Sequence, residues 1–200
     1  KSARKGEDDI FVIEADEYDT AFFDKRSKFI HYKPDTLVIN NLEFDHGDIF
    51  PDKSFIFREF HHLIRTLKEE AHIIFPTDDL NVSKVLNMGC WSNLISYGVD
   101  SNHENAISLK GSKNLTFTVE KEKGDLSWEM YGEHNARNAM SAALAVKQYG
   151  ISLEEALFSL SKFTGVSKRQ DILLDTERLL LIEDFAHHPT AIKTTLEGIK

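Results

Sequence analysis

Short apolar runs that end in acidic residues recur in the first part of the chain. The run from Ile10 to Glu14 leads to Asp16 and Glu17, and the run from Thr36 to Leu42 leads to Asp45 and His46. Unbroken runs rich in β-branched residues are typical of strands buried on both faces, as in parallel sheets. Ligands bind at the carboxyl ends of such strands, so we expect the acids to share one crevice. The alternative is that they cap the following helices and face solvent.

The pattern then alternates between helix and strand. Residues 52–70 have apolar positions at the spacing of an amphipathic helix, and strands are predicted at 72–75 and 93–97. Between these strands, residues 76–79 can cap a helix that runs to about Met88. From 106 to 131 the period changes to two, which indicates antiparallel strands added to the sheet. The predicted fold class is α/β, with a mostly parallel sheet flanked by helices.

The second half of the chain begins with two predicted helices. An Ala-rich helix opens at Gly132 and ends at Gly150, and Ser152 with Glu155 forms a capping-box signature for the next helix. The loop 163–170 is a plausible domain linker. Beyond it, two strands and one helix are too few to bury a core alone. We therefore predict one domain over residues 1–163 and the start of a second over 164–200.

Composition narrows the possible functions. The net charge is −9, from 24 basic and 33 acidic residues, and no basic stripe occurs, which disfavours nucleic-acid binding. The single cysteine, Cys90, cannot form an internal disulfide, and we interpret it as a packed residue. No apolar run has the length of a membrane span and no signal peptide is evident, so the expected location is cytoplasmic, without a membrane partner. The oligomeric state is not predicted.

Candidate chemistry concentrates at strand ends and at one helix start. Oxygen ligands with an imidazole, as in Glu14 and His46, suit Mg²⁺ or Mn²⁺ that carries a phosphate substrate. Asn135 and Asn138 lie three residues apart, on one side of a helical turn, where they either cap the helix or contact a nucleotide. His61 and His62 have no partner at helical spacing, which favours a helix-surface role for both.

Five motifs, taken in order, resemble those of the Mur ligase family, the ATP-dependent amide-forming enzymes of bacterial peptidoglycan assembly. They are Glu14-Ala-Asp-Glu-Tyr-Asp19, Asn40-Asn-Leu-Glu-Phe-Asp-His46, Gly132-Glu-His-Asn-Ala-Arg-Asn138, Lys168-Arg169 and Asp184-Phe-Ala-His-His-Pro-Thr190. The resemblance spans nearly the whole chain. It implies a central ATP-binding domain, followed by the start of a Rossmann-like C-terminal domain.

The resemblance also implies a role for each matched residue. Glu14 and His46 would bind Mg²⁺ ions, Arg169 would approach the γ-phosphate of ATP, and these three would form the catalytic set. The nucleotide would be contacted by four further residues, Asn135, Asn138, Asp184 and His187. The implied partners are UDP-N-acetylmuramate and a murein tripeptide. The alternatives are a ligase that adds L-alanine to UDP-N-acetylmuramate and a non-catalytic nucleotide-binding module.

One family feature has no counterpart in the chain. A Gly-x-x-x-x-Gly-Lys-[Ser/Thr] phosphate loop is missing from the sequence. In the family this loop lies upstream of the glutamate that matches Glu14, so here it would precede Lys1. We therefore expect the chain to be part of a longer enzyme and to be inactive alone.

Overall fold

A six-stranded sheet is the centre of the fold in the computed structural model. The structure describes residues 6–7, 9–16, 18–21, 24–43, 53–110, 114–130, 132–187 and 189–199. In chain order the strands are β1 (Asp19–Ala21), β2 (Asp24–Ser27), β3 (Thr36–Val38), β4 (His72–Pro76), β5 (Asn93–Val99), β6 (Asn105–Lys110), β7 (Asn114–Val119), β8 (Glu122–Ser127), β9 (Asp171–Asp175) and β10 (Leu180–Glu183). The helices are α1 (Lys53–Thr66), α2 (Leu80–Leu86), α3 (Glu133–Lys147), α4 (Leu153–Ser161) and α5 (Pro189–Ile199), with a 3₁₀ turn at Lys28–His31.

The strand order confirms the predicted α/β class. The large sheet has the order β3-β4-β5-β6-β7-β8. Strands β3, β4 and β5 are parallel, and β6 joins β5 in parallel through Gly98 and Val99. Strands β7 and β8 add antiparallel neighbours, as the period-two pattern predicts. The sheet is therefore mostly parallel, with an antiparallel ribbon at one side.

Two apolar clusters cover opposite faces of the parallel strands. Ile74 belongs to a cluster with residues of α3, α4 and the antiparallel strands, whereas Ile73 and Phe75 belong to a second cluster with residues of α1, α2 and β3. Successive side chains of a strand point to opposite faces, so α3 lies on one face of β4 while α1 and α2 lie on the other. Helix α3 also contacts strands β3, β5, β6 and β7.

The segment from Ile10 to Glu14 corrects a prediction. It has no regular secondary structure, and the side chains of Phe11 and Val12 are 72% and 89% exposed. A strand in a parallel sheet takes its hydrogen bonds from neighbouring strands. Within the described part of the chain, no strand pairs with this segment. The prediction of a buried strand here is wrong for this structure because an apolar run alone does not supply the partner.

The linker region leads to a separate pair of strands. β9 and β10 form an antiparallel two-stranded sheet of their own, and α5 follows. Several large apolar side chains of this region are exposed, Leu173 and Leu196 among them. The boundary near residue 164 stays a prediction. In the described residues no helix is long and apolar enough to cross a membrane.

Helix starts follow the capping signals in the sequence. The Ser152 side chain accepts the backbone N–H of Glu155 and the Glu155 carboxylate accepts the backbone N–H of Ser152, which confirms the predicted capping box of α4. At α2, the Asp79 carboxylate accepts the backbone N–H groups of Asn81 and Val82 at 2.8 and 2.9 Å, and that of Leu42 at 3.0 Å. Asp79 therefore joins the end of β3 to the start of α2.

We expect Asp79→Ala to destabilise the chain by about 2 kcal/mol, because loss of a helix cap and an unpaired N–H at Leu42 act together. Urea unfolding of the 200-residue chain measures this. Asp79→Ser is the matched variant, since its hydroxyl can cap α2 but is too short to reach Leu42 as well. An alanine variant that is no less stable than the serine variant would contradict this account.

Candidate functional site

The carboxyl ends of β3 and β4 meet the amino end of α3. Asn40 follows β3, and its Nδ2 donates to Asn138 Oδ1 of α3 at 2.7 Å. Asp78 follows β4 and accepts two hydrogen bonds from the Arg137 guanidinium, at 2.8 and 2.6 Å. The sequence therefore places polar residues where ligands of parallel α/β sheets bind.

Arg137 is the main ionic link at this edge. It also donates to Glu133 Oε1, one helical turn earlier, at 2.8 Å from Nε and 2.6 Å from Nη2. Its side chain is only 20% exposed. The guanidinium lowers the pKa of Asp78, and hydrogen bonding to Asp78 raises the pKa of Arg137 despite partial burial. The start of α3 is thus fixed to the turn after β4.

A partly buried polar network connects the exposed Asn138 to the sheet. We call it the Asn40 network, and its members are Asn40, Tyr97, Asn138 and Ser141. Tyr97 is fully buried and donates to Asn40 Oδ1 at 3.4 Å, while Ser141 also donates to Asn40 Oδ1. Burial raises the pKa of the Tyr97 hydroxyl, so Tyr97 stays a neutral donor.

A second group, the linker cluster, consists of His134, Asn135, Gln170 and Asp184. Asn135 Nδ2 donates to Gln170 Oε1 at 3.3 Å, and the backbone N–H of Gln170 donates to Asp184 Oδ2 at 3.0 Å. Asp184 Oδ1 accepts the backbone N–H of Ala186 at 2.8 Å. The Gln170 side chain therefore connects the start of α3 to the linker, and the Asp184 carboxylate connects the linker to the loop after β10.

Arg169 and His187 lie beside the linker cluster. The Arg169 guanidinium lies 5.6 Å from the centre of the Phe185 ring, and this ring meets the His187 ring edge-on at 5.2 Å. Cations over aromatic faces are attracted by the ring electrons. Phe185 therefore lies next to both Arg169 and His187.

The structure brings together some of the predicted site residues. Asn135 and Asp184 are joined through Gln170, and Arg169 and His187 flank them through Phe185. Asn138 lies one turn along α3, in the Asn40 network. Glu14 is exposed in the irregular segment before β1, and among the described residues no hydrogen bond or ion pair joins it to this group. His46 lies outside the described residues.

The described residues fit a bound nucleotide better than they fit a bound metal ion. Over the described ranges, no group of three or more His, Cys, Asp or Glu residues is arranged to hold a metal ion. The Mg²⁺ role of Glu14 and His46 therefore stays a prediction, consistent only with the oxygen and imidazole types present. For the nucleotide, the fit is better: within the described structure, the buried Nδ1 of His134 has no hydrogen-bond partner. A polar ligand at the start of α3 can satisfy it.

Sequence reasoning missed the residues that organise the site. In the sequence, His134 stands out only as part of the 132–138 motif, and Gln170 only as the end of the loop 163–170. The backbone of Gln170 has a φ of 56°, which is uncommon for a residue other than glycine. Tyr97 sits in a strand predicted from its apolar pattern, and only the need of a buried hydroxyl for a partner signals its polar role.

His134 makes the stability of the chain depend on pH. Burial lowers its pKa, the nearby Arg169 lowers it further, and the carboxylates of Asp184 and Glu133 oppose this to a smaller extent. The unfolded chain therefore binds a proton more readily below the ordinary imidazole value of about 6.5. We expect the wild-type chain to lose stability relative to His134→Gln as the pH falls through that value. Urea unfolding of both proteins at pH 7.5 and 5.5 measures the difference, and parallel changes in the two would contradict the expectation.

Comparison with known proteins shows the family of the chain. A model of the Mur ligase middle domain matches residues 1–146. The chain belongs to the Mur ligase family. The family resemblance inferred from the five motifs is thereby confirmed.

Relatives within the Mur ligase family differ in how similar they are to this chain. The UDP-N-acetylmuramate–L-alanyl-γ-D-glutamyl-meso-2,6-diaminoheptandioate ligase of Escherichia coli (strain K12) is 42% identical over 200 residues, which is 100% of this chain and 44% of that protein. The UDP-N-acetylmuramate–L-alanine ligase of Treponema pallidum (strain Nichols) is 29% identical over 208 residues, 96% of this chain and 42% of that protein. The chain thus spans less than half the length of these relatives.

A solved structure shows the same fold. The murein peptide ligase of Psychrobacter arcticus 273-4 superposes with a TM-score of 0.76 at 38% identity, covering 98% of this chain and 42% of that one. The MurF ligase of Thermotoga maritima matches with a TM-score of 0.68 at 19% identity, which shows a shared fold alone.

Proposed function

We propose that this chain is part of an ATP-dependent ligase that joins a murein tripeptide, L-Ala-γ-D-Glu-meso-diaminopimelate, to UDP-N-acetylmuramate in the cytoplasm. The observation that carries the proposal is the 42% identity, over the whole chain, to the Escherichia coli ligase named for that tripeptide. Identity to the Treponema pallidum ligase named for L-alanine is 29%. The polar groups at the start of α3 and after β10 support a nucleotide site in the same region.

The chemistry of such a ligase places clear demands on its residues. ATP would transfer its terminal phosphoryl group to the muramate carboxylate, giving an acyl phosphate and ADP. The amine of the tripeptide would then attack the acyl carbon and lose a proton, forming the amide bond and releasing inorganic phosphate. Bound Mg²⁺ would neutralise phosphate charge. The protein therefore has to bind, orient and neutralise more than it has to react covalently.

We assign residues of the chain to the parts of this reaction. Arg169 supplies a permanent positive charge, and we assign it to the terminal phosphate. Asp184 fixes the linker through the backbone N–H of Gln170 and is assigned to the ribose. Asn135 and Asn138 are assigned to the nucleotide, with His187 beside them. Glu14 and His46 are assigned to Mg²⁺.

We assign residues 1–163 to the ATP-binding domain and residues 164–200 to the start of the C-terminal domain. A polypeptide that contains this chain and has the length of its curated relatives is called the full-length protein below. We expect ATP-dependent amide formation from the full-length protein and none from the 200-residue chain, which has no phosphate loop.

The substrate assay uses the full-length protein with UDP-N-acetylmuramate, ATP and Mg²⁺. The proposal expects a higher kcat/KM with the tripeptide than with L-alanine, measured by ADP release and by mass spectrometry of the product. A preference for L-alanine would replace the proposed function by that of an alanine ligase. No ATP-dependent product with either acceptor would favour a non-catalytic nucleotide-binding module.

A further inference from the structure

The hydrogen bonds of the Asn40 network show which atoms donate and which accept next to Asn138. The Tyr97 hydroxyl lies 3.2 Å from the Ser141 hydroxyl and 3.4 Å from Asn40 Oδ1. An amide oxygen can only accept, so in the pair with Asn40 the Tyr97 hydroxyl is the donor.

The hydroxyl of Ser141 also donates to the Asn40 oxygen. Ser141 is buried and lies on α3. With its oxygen facing two hydroxyls, Asn40 turns its Nδ2 the other way. There it donates to Asn138 Oδ1 at 2.7 Å.

The orientation of the Asn138 amide follows from this bond. Because its Oδ1 accepts from Asn40, its Nδ2 points away from Asn40. Asn138 is exposed, and in the part of the chain that the structure describes its Nδ2 has no hydrogen-bond partner. An amide nitrogen carries two donors and no acceptor.

We infer that Asn40 is a positioning residue that fixes the amide of Asn138, so that Asn138 presents N–H donors to a hydrogen-bond acceptor on the ligand. This inference rests on the proposed nucleotide site. In a nucleotide the acceptors are ring nitrogens and phosphate oxygens, whereas the exocyclic amino group of adenine is a donor. The amino group is therefore excluded from the position that faces Asn138 Nδ2.

A single substitution at Asn40 should reverse the orientation of the Asn138 amide. Asn40→Asp replaces the amide with a carboxylate, which accepts hydrogen bonds and donates none. One of its oxygens still accepts from Tyr97 and Ser141, and the other can only accept from Asn138. Asn138 then turns its Nδ2 inward and presents its Oδ1 to the ligand.

Side-chain amide exchange in the 200-residue chain tests the orientation without any ligand. Hydrogen bonding slows exchange of amide protons with water. In ¹⁵N-edited NMR spectra of the wild-type chain, we expect the slowest Asn40 side-chain proton to exchange about tenfold more slowly than those of Asn138. In Asn40→Asp, a side-chain proton of Asn138 should slow by a similar factor. Slow exchange at Asn138 in the wild type would overturn the inference, and this comparison does not depend on the variant folding.

Nucleotide binding to the full-length protein tests the consequence. ADP should bind Asn40→Asp about tenfold more weakly than wild type, because an acceptor then faces an acceptor. Asn40→Leu is the control, since it removes the bond to Asn138 without forcing a reversal, and its loss should be smaller. Equal affinity of wild type and Asn40→Asp for ADP would overturn the inference.

An ADP analogue that carries carbon in place of one ring nitrogen, 7-deaza-ADP, identifies the acceptor. Weaker binding of this analogue by wild type, but not by Asn40→Asp, would assign the acceptor to that ring nitrogen. Equal binding of ADP and the analogue by wild type, with ADP still weakened by Asn40→Asp, would assign it to another acceptor, such as a phosphate oxygen. Failure of the wild-type full-length protein to bind ADP would remove the proposed function, while amide exchange would still decide the orientation of Asn138.

Discussion

Replacing Asp184 with alanine in the full-length protein is expected to lower the rate of ATP-dependent amide formation about 100-fold, because small displacements of positioned groups cost that much. Asp184 accepts the backbone N–H groups of Gln170 and Ala186, one on each carboxylate oxygen, at 3.0 and 2.8 Å. Without it, the linker that carries Arg169 loses its side-chain link to the loop that carries His187, and the backbone hydrogen bond from the Phe185 N–H to the Lys168 carbonyl oxygen, at 2.8 Å, remains.

Two further variants separate anchoring from loss of charge. Asp184→Asn keeps one acceptor oxygen and can satisfy only one of the two N–H groups, so its rate should fall between those of wild type and Asp184→Ala. Asp175→Ala removes an exposed carboxylate from β9 and should leave the rate unchanged. Steady-state kinetics with saturating ATP measures all three. A wild-type rate in Asp184→Ala would remove Asp184 from the proposed site.

Phe117→Ala is expected to destabilise the 200-residue chain by about 3–5 kcal/mol, the usual cost of truncating a buried phenylalanine. Phe117 lies on β7 with 0% of its surface exposed, in the cluster that also contains Ile107 and Met140. Its removal leaves a cavity between the antiparallel strands and α3. Urea unfolding, followed by circular dichroism, measures the change in the free energy of unfolding.

The matched control for this prediction is Phe158→Ala. Phe158 lies on α4 with 62% of its surface exposed, and its ring contacts Lys162 Nζ at 3.7 Å. An exposed contact of this kind contributes about 0.5–1 kcal/mol. Similar losses for the two phenylalanine variants would mean that β7 is not part of the core described here.

Periodicity predicted the elements whose partners lie within the described chain. The run at 36–42 contains β3, and the runs at 72–75 and 93–97 contain most of β4 and of β5, since each has a neighbouring strand to pair with. The run from Ile10 to Glu14 has the same apolar character, but lacks such a neighbour among the described strands. Local pattern encodes the tendency to form a strand, and pairing depends on the rest of the sheet.

The candidate site could be predicted only in part, because some of its contacts join segments that are far apart in the sequence. The family resemblance implied roles for Asn135, Arg169 and Asp184, and the structure connects the first and last of them through Gln170. Neither spacing nor periodicity could show Gln170 as the bridge, because its contacts come from segments far apart in the sequence. The same holds for Asn40 and Ser141, which are separated by 101 residues.

Helix α3 has a mechanical consequence for the whole sheet. Among the described residues, the pairing of β5 with β6 involves Gly98 and Val99 of β5, so the backbone seam between the parallel strands and the antiparallel ribbon is short. Helix α3 crosses that seam and contacts strands from β3 to β7. A force or a ligand that tilts α3 would therefore bend the sheet between β5 and β6. Strands β3 to β5 and strands β6 to β8 would then move as two rigid units, and α3 limits this motion because it contacts both.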